Sequence, residues 1–216
     1  MFGVFMIYNE IYYGNDIELS KNINYLKIIK ELNFCKENKE EFILISSDIV
    51  FDRSLNKVYS EDSETNCINI DGKFLCQSEK LVLNYEKGYV IRVQDNFDLY
   101  RDLIKKMICH NCIPIFNGSK FYFMSNRLIN FYIHTICKNL YYKIYHLSSN
   151  LFFEDSFLWF ILKNSIFEKD KSFSTFSYNQ YGCLSSRITN NNSILLIDYN
   201  YIKKNIEEIK KCQNNY

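Results

Sequence analysis

The chain has 216 residues and a net charge of +1 at neutral pH. It is long enough to bury a core, and it carries no overall charge that would attract nucleic acid or an acidic membrane surface. Hydrophobic residues make up 47% and charged residues 24%, which excludes an intrinsically disordered chain. Its apolar runs are shorter than the roughly 20 residues of a membrane-spanning helix. We therefore expect a folded protein that binds neither nucleic acid nor membrane.

The eight cysteines show no disulfide framework, and no basic-then-apolar leader opens the chain. We therefore expect reduced thiols and a cytoplasmic location. Alanine is absent, and glycine and proline are scarce beside abundant Asn, Lys, Ile, Tyr and Phe. This skew indicates an AT-rich gene, so an unusual residue is not by itself a sign of function.

Strands and helices are predicted to alternate along the first half of the chain. The apolar run at residues 3–8 predicts a strand, and apolar residues at helical spacing predict a helix over 17–32. The elements expected next are a strand at 41–46, a polar loop at 47–66, a helix at 71–85, a strand at 89–93 and a helix at 97–110. This alternation predicts an α/β fold with a parallel, doubly wound sheet.

The second half is predicted to be mixed. Its expected elements are a strand at 113–116, a turn at Gly118, a helix at 125–140, a strand at 143–147, a helix at 153–162 and a terminal helix at 202–212. No Pro- or Gly-rich linker divides the chain. We expect one domain over 1–216, with the sheet and helix core at 1–112 and a small C-terminal lobe at 113–216.

The most specific motif spans residues 43–52 (ILISSDIVFD) and continues through an acidic loop into the next helix. Its residues match a family pattern at Ser46, Ser47, Asp48, Val50, Phe51, Asp52, Tyr59, Glu61, Asp62, Asn69, Gly72 and Glu79. The pattern resembles the extended short-chain dehydrogenase/reductase superfamily, in its dTDP-4-dehydrorhamnose reductase-like branch. That branch includes the regulatory beta subunit of methionine adenosyltransferase. The resemblance implies a Rossmann-like fold.

The resemblance also locates candidate catalytic positions. In the family, a helix carries a Tyr that exchanges a proton with the substrate oxygen and, four residues later, a Lys that lowers the phenol pKa, while a Ser or Thr orients the carbonyl. Here the Ser/Thr position is Ser47. The alternative interpretation is that Ser47 simply caps a turn. The Tyr position is Asp71 and the Lys position is Leu75. A carboxylate, ionised at neutral pH, cannot donate that proton, so the resemblance implies that the family's chemistry is lost.

The family's dinucleotide motif has no counterpart in the sequence. Family members open with a strand and a Gly-rich turn whose backbone holds the cofactor pyrophosphate. The six glycines lie at positions 3, 14, 72, 88, 118 and 182, too far apart for a phosphate loop. Residues 1–8 instead resemble the family's fourth strand. We therefore expect an N-terminally truncated, degenerate member that binds no cofactor, although the family would use NAD(P).

Several polar residues have both a structural and a functional interpretation. Arg92, at the end of a predicted strand, is either an ion-pair partner or a substrate-binding residue. We expect Asp48 and Asp52 to accept hydrogen bonds from backbone N–H groups after a strand. We expect Asp71 to be a helix N-cap and His146 to be a half-buried strand residue.

Four residues have the spacing of a zinc site: Cys109, Cys112, His134 and Cys137. The ends of the two predicted helices that carry them are not expected to meet, so we predict no metal. The abundant aromatic residues have no basic residues interleaved among them, and we assign them to the core rather than to base stacking.

Three functional hypotheses remain open. The favoured one is a non-catalytic binding or regulatory module. The main alternative is an active NAD(P)-dependent nucleotide-sugar reductase or epimerase of the dTDP-4-dehydrorhamnose reductase type, completed by another chain. The third is a decayed coding fragment. The residues at positions 71 and 75 and the missing Gly-rich turn favour the first over the second.

The predicted strand at residues 3–8 would form an open, apolar sheet edge if the family's first strand is missing. Such an edge usually pairs or aggregates, and GVFMIY contains no Lys or Pro to blunt it. We expect a protein partner or a second copy of the chain to cover this edge. The alternative is that the segment beyond Lys169 folds back over it.

Overall fold

The computed structural model describes residues 3–6, 17–55, 57–94, 112–116, 120–122, 126–148, 152–154, 174–178 and 183–184. The predicted helices at 97–110 and 202–212 and the predicted turn at Gly118 lie outside these residues.

The described elements confirm most of the predicted alternation. In chain order they are β1 (Gly3–Met6), α1 (Ile17–Asn38), β2 (Phe42–Ser47), a short 3-10 helix (Asp48–Val50), β3 (Val58–Tyr59), α2 (Ile70–Leu83), β4 (Gly88–Val93), β5 (Cys112–Phe116), β6 (Lys120–Tyr122), α3 (Asn126–Lys138), β7 (Ile144–Leu147), β8 (Phe152–Glu154), β9 (Ser174–Tyr178) and β10 (Cys183–Leu184).

The central sheet has four parallel strands in the order β1-β2-β4-β7. All six residues of β2 are buried, as expected for a parallel strand covered on both faces. The predicted parallel α/β sheet is therefore correct. Its last strand, β7, comes from the stretch that we assigned to the C-terminal lobe.

Helices cover both faces of this sheet. On one face, α1 and α2 pack on strand residues of β2 and β4 through Ile28, Leu32, Cys35, Val82, Phe42, Leu44 and Val90. On the other face, α3 packs through Ile129, Tyr132, Ile133, Ile136 and Cys137 against Ile43, Ile45, Ile91, Val93, Tyr145 and Leu147. Alternate strand residues thus face opposite layers, which gives the doubly wound arrangement.

Three short strand pairs lie outside the central sheet. β3 pairs with β10 and β5 pairs with β9, both in parallel, and β6 pairs antiparallel with β8. The helix predicted over 153–162 is wrong at its start, because Phe152–Glu154 form strand β8. A short apolar run fits either element, and the pairing of Phe153 with Phe121 selects the strand.

In the part of the chain that the structure describes, no helix has both the length and the apolar character needed to cross a membrane.

Candidate functional site

Three polar side chains form a row across the carboxyl ends of the sheet strands. Ser46 of β2 is in register with Arg92 of β4, and Arg92 is in register with His146 of β7. In-register residues of neighbouring strands face the same side of a sheet. All three side chains are buried, with exposures of 2% or less.

The centre of this row is a buried ion pair between Arg92 and Glu79 of α2. Arg92 Nη2 donates to Glu79 Oε2 at 2.7 Å, and Arg92 Nε lies 3.1 Å from Oε1. The hydroxyl of Ser46 also donates to Glu79 Oε1, at 2.6 Å. Both charged side chains are almost completely buried, so each needs the other to offset the loss of hydration. The pair joins α2 to two strands.

His146 completes the contacts of the guanidinium group. Arg92 Nη1 lies 3.2 Å from His146 Nε2. Because a guanidinium has donors and no acceptor, Nε2 must accept, which makes the imidazole neutral with its proton on Nδ1. The ring of Phe51 lies 5.0 Å from Arg92 Cζ in a cation–π contact and stacks on Tyr59 at 4.3 Å. His146 is fully buried, so the prediction that it is half-buried is wrong.

The structure gives Arg92 the ion-pair role that the sequence suggested. Three guanidinium nitrogens contact Glu79 or His146. A role for Arg92 in substrate binding remains a prediction, and it would require the guanidinium to leave this pair.

The acidic loop after β2 is fastened to the same row. Glu61 is buried, and its Oε1 accepts a hydrogen bond from the backbone N–H of His146 at 3.4 Å. Asp52 Oδ1 accepts from the backbone N–H of Ser54 at 3.0 Å, as predicted. Asn66 Oδ1 accepts from the N–H of Asp52 at 2.9 Å, which closes the loop.

A second set of polar residues holds β10 above the strand ends. Gln94 follows β4 and Ser148 follows β7, and both are fully buried. Gln94 Oε1 accepts from the N–H of Leu184 at 2.9 Å, and the Ser148 hydroxyl donates to the Leu184 carbonyl at 2.8 Å. These two bonds clamp the backbone of Leu184 over the carboxyl edge of the sheet.

Ser47, at the family's Ser/Thr position, contributes to a turn. Its Oγ accepts from the N–H of Ile49 at 3.4 Å, which caps the 3-10 helix, and donates to Asp48 Oδ1 at 3.1 Å. Asp48 Oδ2 pairs with Arg53 Nε at 3.3 Å. Both of these contacts are with side chains, and hydrogen bonds from backbone N–H groups to Asp48 stay a prediction. Ser47 is only 1% exposed.

Asp71, at the family's Tyr position, lies in the first turn of α2. The N-cap is Asn69, whose Oδ1 accepts from the N–H of Gly72 at 2.6 Å. The prediction that Asp71 is the N-cap is therefore wrong by two residues. A carboxylate in this first turn still interacts favourably with the helix dipole. A Cβ at Gly72 would lie 2.3 Å from the carbonyl oxygen of Ile49, so a glycine is needed where α2 meets the 3-10 helix that follows Ser47.

Leu75, at the family's Lys position, is part of an apolar cluster. It packs with Val50, Phe51, Tyr59, Cys76 and Leu184 and is 4% exposed. The cluster lies beside the polar row, because Phe51 contacts both. An ammonium group at this position would be surrounded by apolar side chains and would lose its hydration.

Only two of the four residues of the zinc pattern, His134 and Cys137, have described side chains. His134 and Cys137 both lie on α3, with His134 exposed and Cys137 packed in the core. Cys109 lies outside the described residues. Among the residues with described positions, no group of three or more His, Cys, Asp or Glu is placed to hold a metal ion.

The buried ion pair makes a testable prediction. Arg92→Met leaves the Glu79 carboxylate buried without its cation, and we expect the free energy of unfolding to fall by about 3–5 kcal/mol. The double variant Arg92→Met/Glu79→Met removes both charges, and its loss should be smaller than that of Arg92→Met alone. Urea unfolding at neutral pH measures both. The exposed residue Glu64 supplies a control, because Glu64→Gln should change stability by no more than about 0.5 kcal/mol. A single variant as stable as the wild type would contradict this account of the site.

Comparisons with known proteins agree with this geometry. Residues 15–110 match the family model of the RmlD substrate binding domain. Among curated proteins, no sequence gives a significant match.

Solved structures share the fold at low identity. UDP-glucuronic acid 4-epimerase from Bacillus cereus superposes with a TM-score of 0.72 at 18% identity, covering 93% of this chain and 71% of that one. DesIV, a dTDP-glucose 4,6-dehydratase from Streptomyces venezuelae, gives 0.73 at 11% identity, covering 92% and 69%. A dTDP-4-dehydrorhamnose reductase from Bacillus anthracis gives 0.65 at 12% identity, covering 92% and 77%.

The family match and these folds confirm the resemblance that the motif predicted. Over residues 15–110 the chain is similar to the RmlD substrate binding domain family, and it shares the fold of the dTDP-4-dehydrorhamnose reductases and related nucleotide-sugar enzymes.

Proposed function

We propose that this chain is a non-catalytic binding or regulatory module built on the reductase fold. The alternative is a nucleotide-sugar reductase or epimerase completed by another chain, and the three solved structures described above hold NAD or NADP. The positions that carry proton transfer in the family favour the first proposal.

The observation that carries the proposal is the environment of Leu75. A reductase of this family needs a cation at this position to lower the pKa of the Tyr phenol and to hold the cofactor ribose. Leu75 instead lies in the apolar cluster with Val50, Tyr59 and Leu184. The residues packed around Leu75 are also suited to an apolar side chain. The difference from the family therefore extends beyond the missing Lys to its neighbours.

Two further positions support the proposal. Asp71 stands at the Tyr position, so the phenol that exchanges a proton with the substrate oxygen in the family is missing from this position. The Ser47 hydroxyl is engaged by Asp48 and by the N–H of Ile49, so orienting a substrate carbonyl would cost these two bonds. In this chain the side chains at the family's catalytic positions therefore take part in local structure instead.

Gln94 supports the binding part of the proposal. Its side chain is fully buried, and within the described residues its Nε2 has no hydrogen-bond partner. A buried amide donor without an acceptor costs about 1–3 kcal/mol. An oxygen atom of a bound ligand, such as a hydroxyl of a sugar, would remove this cost at the carboxyl edge, where α/β folds bind ligands.

We also propose that a partner chain or a second copy covers the edge strand β1. Within the described part of the sheet, β1 pairs with β2 on one side only. The described strands beyond Lys169 pair with β5 and β3 rather than with β1. An unpaired row of N–H and C=O groups is a template for adding a strand.

A cytoplasmic location is part of this proposal. The cysteines whose side chains are described, Cys35, Cys67, Cys76 and Cys137, are all free thiols. Proteins of reducing compartments keep their cysteines in this state.

Turnover is the first test of the proposal. Purified protein mixed with NADPH and a 4-keto nucleotide sugar should show no oxidation of NADPH, because Asp71 and Leu75 replace the Tyr and Lys that carry proton transfer in the family. The repaired variant Asp71→Tyr/Leu75→Lys should also be inactive, since the chain has no Gly-rich turn for the hydride donor.

Stability measurements on single variants at position 75 serve as the control for the repaired variant. Leu75→Lys should destabilise the fold by several kcal/mol because the ammonium is desolvated among apolar groups, whereas Leu75→Met should cost under about 1.5 kcal/mol. NADPH-dependent reduction by the wild type would sink the non-catalytic proposal. Reduction by Asp71→Tyr/Leu75→Lys would instead show that a cofactor site survives in the chain.

Hydrogen exchange tests the partner at β1. If a second copy covers the edge, protection of the amides of Val4–Met6 should increase with protein concentration. The central amides of β4, which is paired on both sides, are the matched control and should be protected at every concentration. Slow exchange of all the Val4–Met6 amides in a sample that light scattering shows to be monomeric would reject the partner.

A further inference from the structure

Two thiols lie in contact at the start of α2. Cys76 Sγ is 3.1 Å from Cys67 Sγ, and both cysteines are free. A disulfide bond is about 2.05 Å long, so the two sulfur atoms need to approach by only about 1 Å. Cys67 is partly exposed and Cys76 is buried.

A glycine holds the two thiols together. A Cβ at Gly72 would lie 2.7 Å from Cys67 Cβ and 2.3 Å from the carbonyl oxygen of Ile49. The hydrogen atom that Gly72 has in place of a side chain is therefore what lets Cys67 reach the helix. Cys76 Sγ also contacts the carbonyl of Val50 at 3.7 Å. The contact between the thiols is thus fixed by packing on both sides.

The other two cysteines whose side chains are described lie elsewhere. Cys35 lies in the cluster on the α1 and α2 face of the sheet, and Cys137 lies in the cluster on the α3 face. The sheet separates these two thiols from each other, so among the four cysteines with described side chains Cys67 and Cys76 are the pair in contact.

We propose that Cys67 and Cys76 are a modification site that forms an intramolecular disulfide with a low-molecular-weight disulfide, such as oxidised glutathione, as the oxidant. This site is independent of the proposed function. The Cys67 thiolate attacks one sulfur of the oxidant, forms a mixed disulfide and releases one small thiol. Cys76 then loses its proton to solvent and attacks Cys67 Sγ, which releases the second small thiol. Two protein thiols are oxidised, and one small disulfide is reduced to two thiols.

The second step is slowed by the surroundings of Cys76. Burial first, and then the hydrogen bond with Cys67, raise the pKa of the Cys76 thiol to about 11, with a smaller contribution in the same direction from Glu79. Thr65 acts in the opposite direction through a hydrogen bond. Since the thiolate is the nucleophile, closure of the mixed disulfide should become faster as the pH rises toward 11.

The bond would fasten the acidic loop to α2. Cys67 precedes the Asn69 cap, and Cys76 follows Leu75 in the helix. The cross-link therefore spans the segment that contains Asp71 and Gly72. Closing this loop reduces the conformational freedom of the unfolded chain, so the oxidised protein should unfold at a higher urea concentration than the reduced protein.

Peptide mapping of the full chain detects the bond directly. Reduced protein is equilibrated with a buffer of oxidised and reduced glutathione, alkylated, and digested with trypsin without reductant. Trypsin cleaves after Lys73, between the two cysteines, so a disulfide links peptide 58–73 to peptide 74–80. We expect this linked species, and its loss after treatment with dithiothreitol. Glutathione on Cys67 with Cys76 still alkylated, or cross-links to other cysteines, would overturn the proposal.

Single variants provide the controls. Cys67→Ser and Cys76→Ala should each abolish the linked peptides and the oxidation-dependent rise in the urea midpoint. Cys137→Ser changes a buried cysteine in another cluster and should leave both unchanged. If Cys137→Ser removes the effect as well, the proposed pair is wrong.

The equilibrium constant for forming the Cys67–Cys76 disulfide with oxidised glutathione shows whether the fold creates the site. We expect it to be roughly tenfold or more higher in native protein than in concentrated urea, because the fold holds the two sulfur atoms together. An equal or lower constant in native protein would mean that the pairing reflects only closeness in sequence, and the proposal would fail. This measurement applies equally to an active reductase and to a non-catalytic module, so its failure leaves the proposed function untouched.

Discussion

The buried pair of Arg92 and Glu79 is the constraint on which the site depends. Two opposite charges at 2.7 Å bring together the ends of β2, β4 and β7 and the middle of α2, because Ser46 and His146 contact the same two side chains. Removing the charge of either Arg92 or Glu79 would leave the other charge unpaired in a region from which water is excluded. The register of the strands and the position of α2 are therefore coupled.

This coupling explains how the fold can accommodate residues other than Tyr and Lys at positions 71 and 75. Glu79 is placed by the same helix whose first turn carries Asp71 and whose second turn carries Leu75. The ion pair anchors that helix through Glu79, four residues after Leu75, and so does not depend on a Tyr or a Lys at these two positions. The proton donor and the cation can then be exchanged for a dipole-facing carboxylate and an apolar core residue. The clamp on Leu184 by Gln94 and Ser148 closes the carboxyl edge over the altered positions.

Much of the fold was predictable from the sequence, because its strands are apolar runs bounded by polar residues. The polar row was also predictable in principle: β2, β4 and β7 are apolar strands, each with a polar residue near its carboxyl end, at Ser46, Arg92 and His146. Parallel strands in register align such residues. The clamp on Leu184 and the short strand β8 were not predictable, since both depend on pairing between distant segments. The cap at Asn69 was missed because two candidate caps lie two residues apart.

We propose that this chain keeps the reductase fold without binding the reductase's cofactor. Calorimetric titration of the purified protein with NADH and with NADPH tests it most directly. With no Gly-rich turn to bring backbone N–H groups to a pyrophosphate, we predict no heat of binding for either nucleotide at concentrations below the millimolar range. A micromolar dissociation constant for NADH or NADPH would contradict the account.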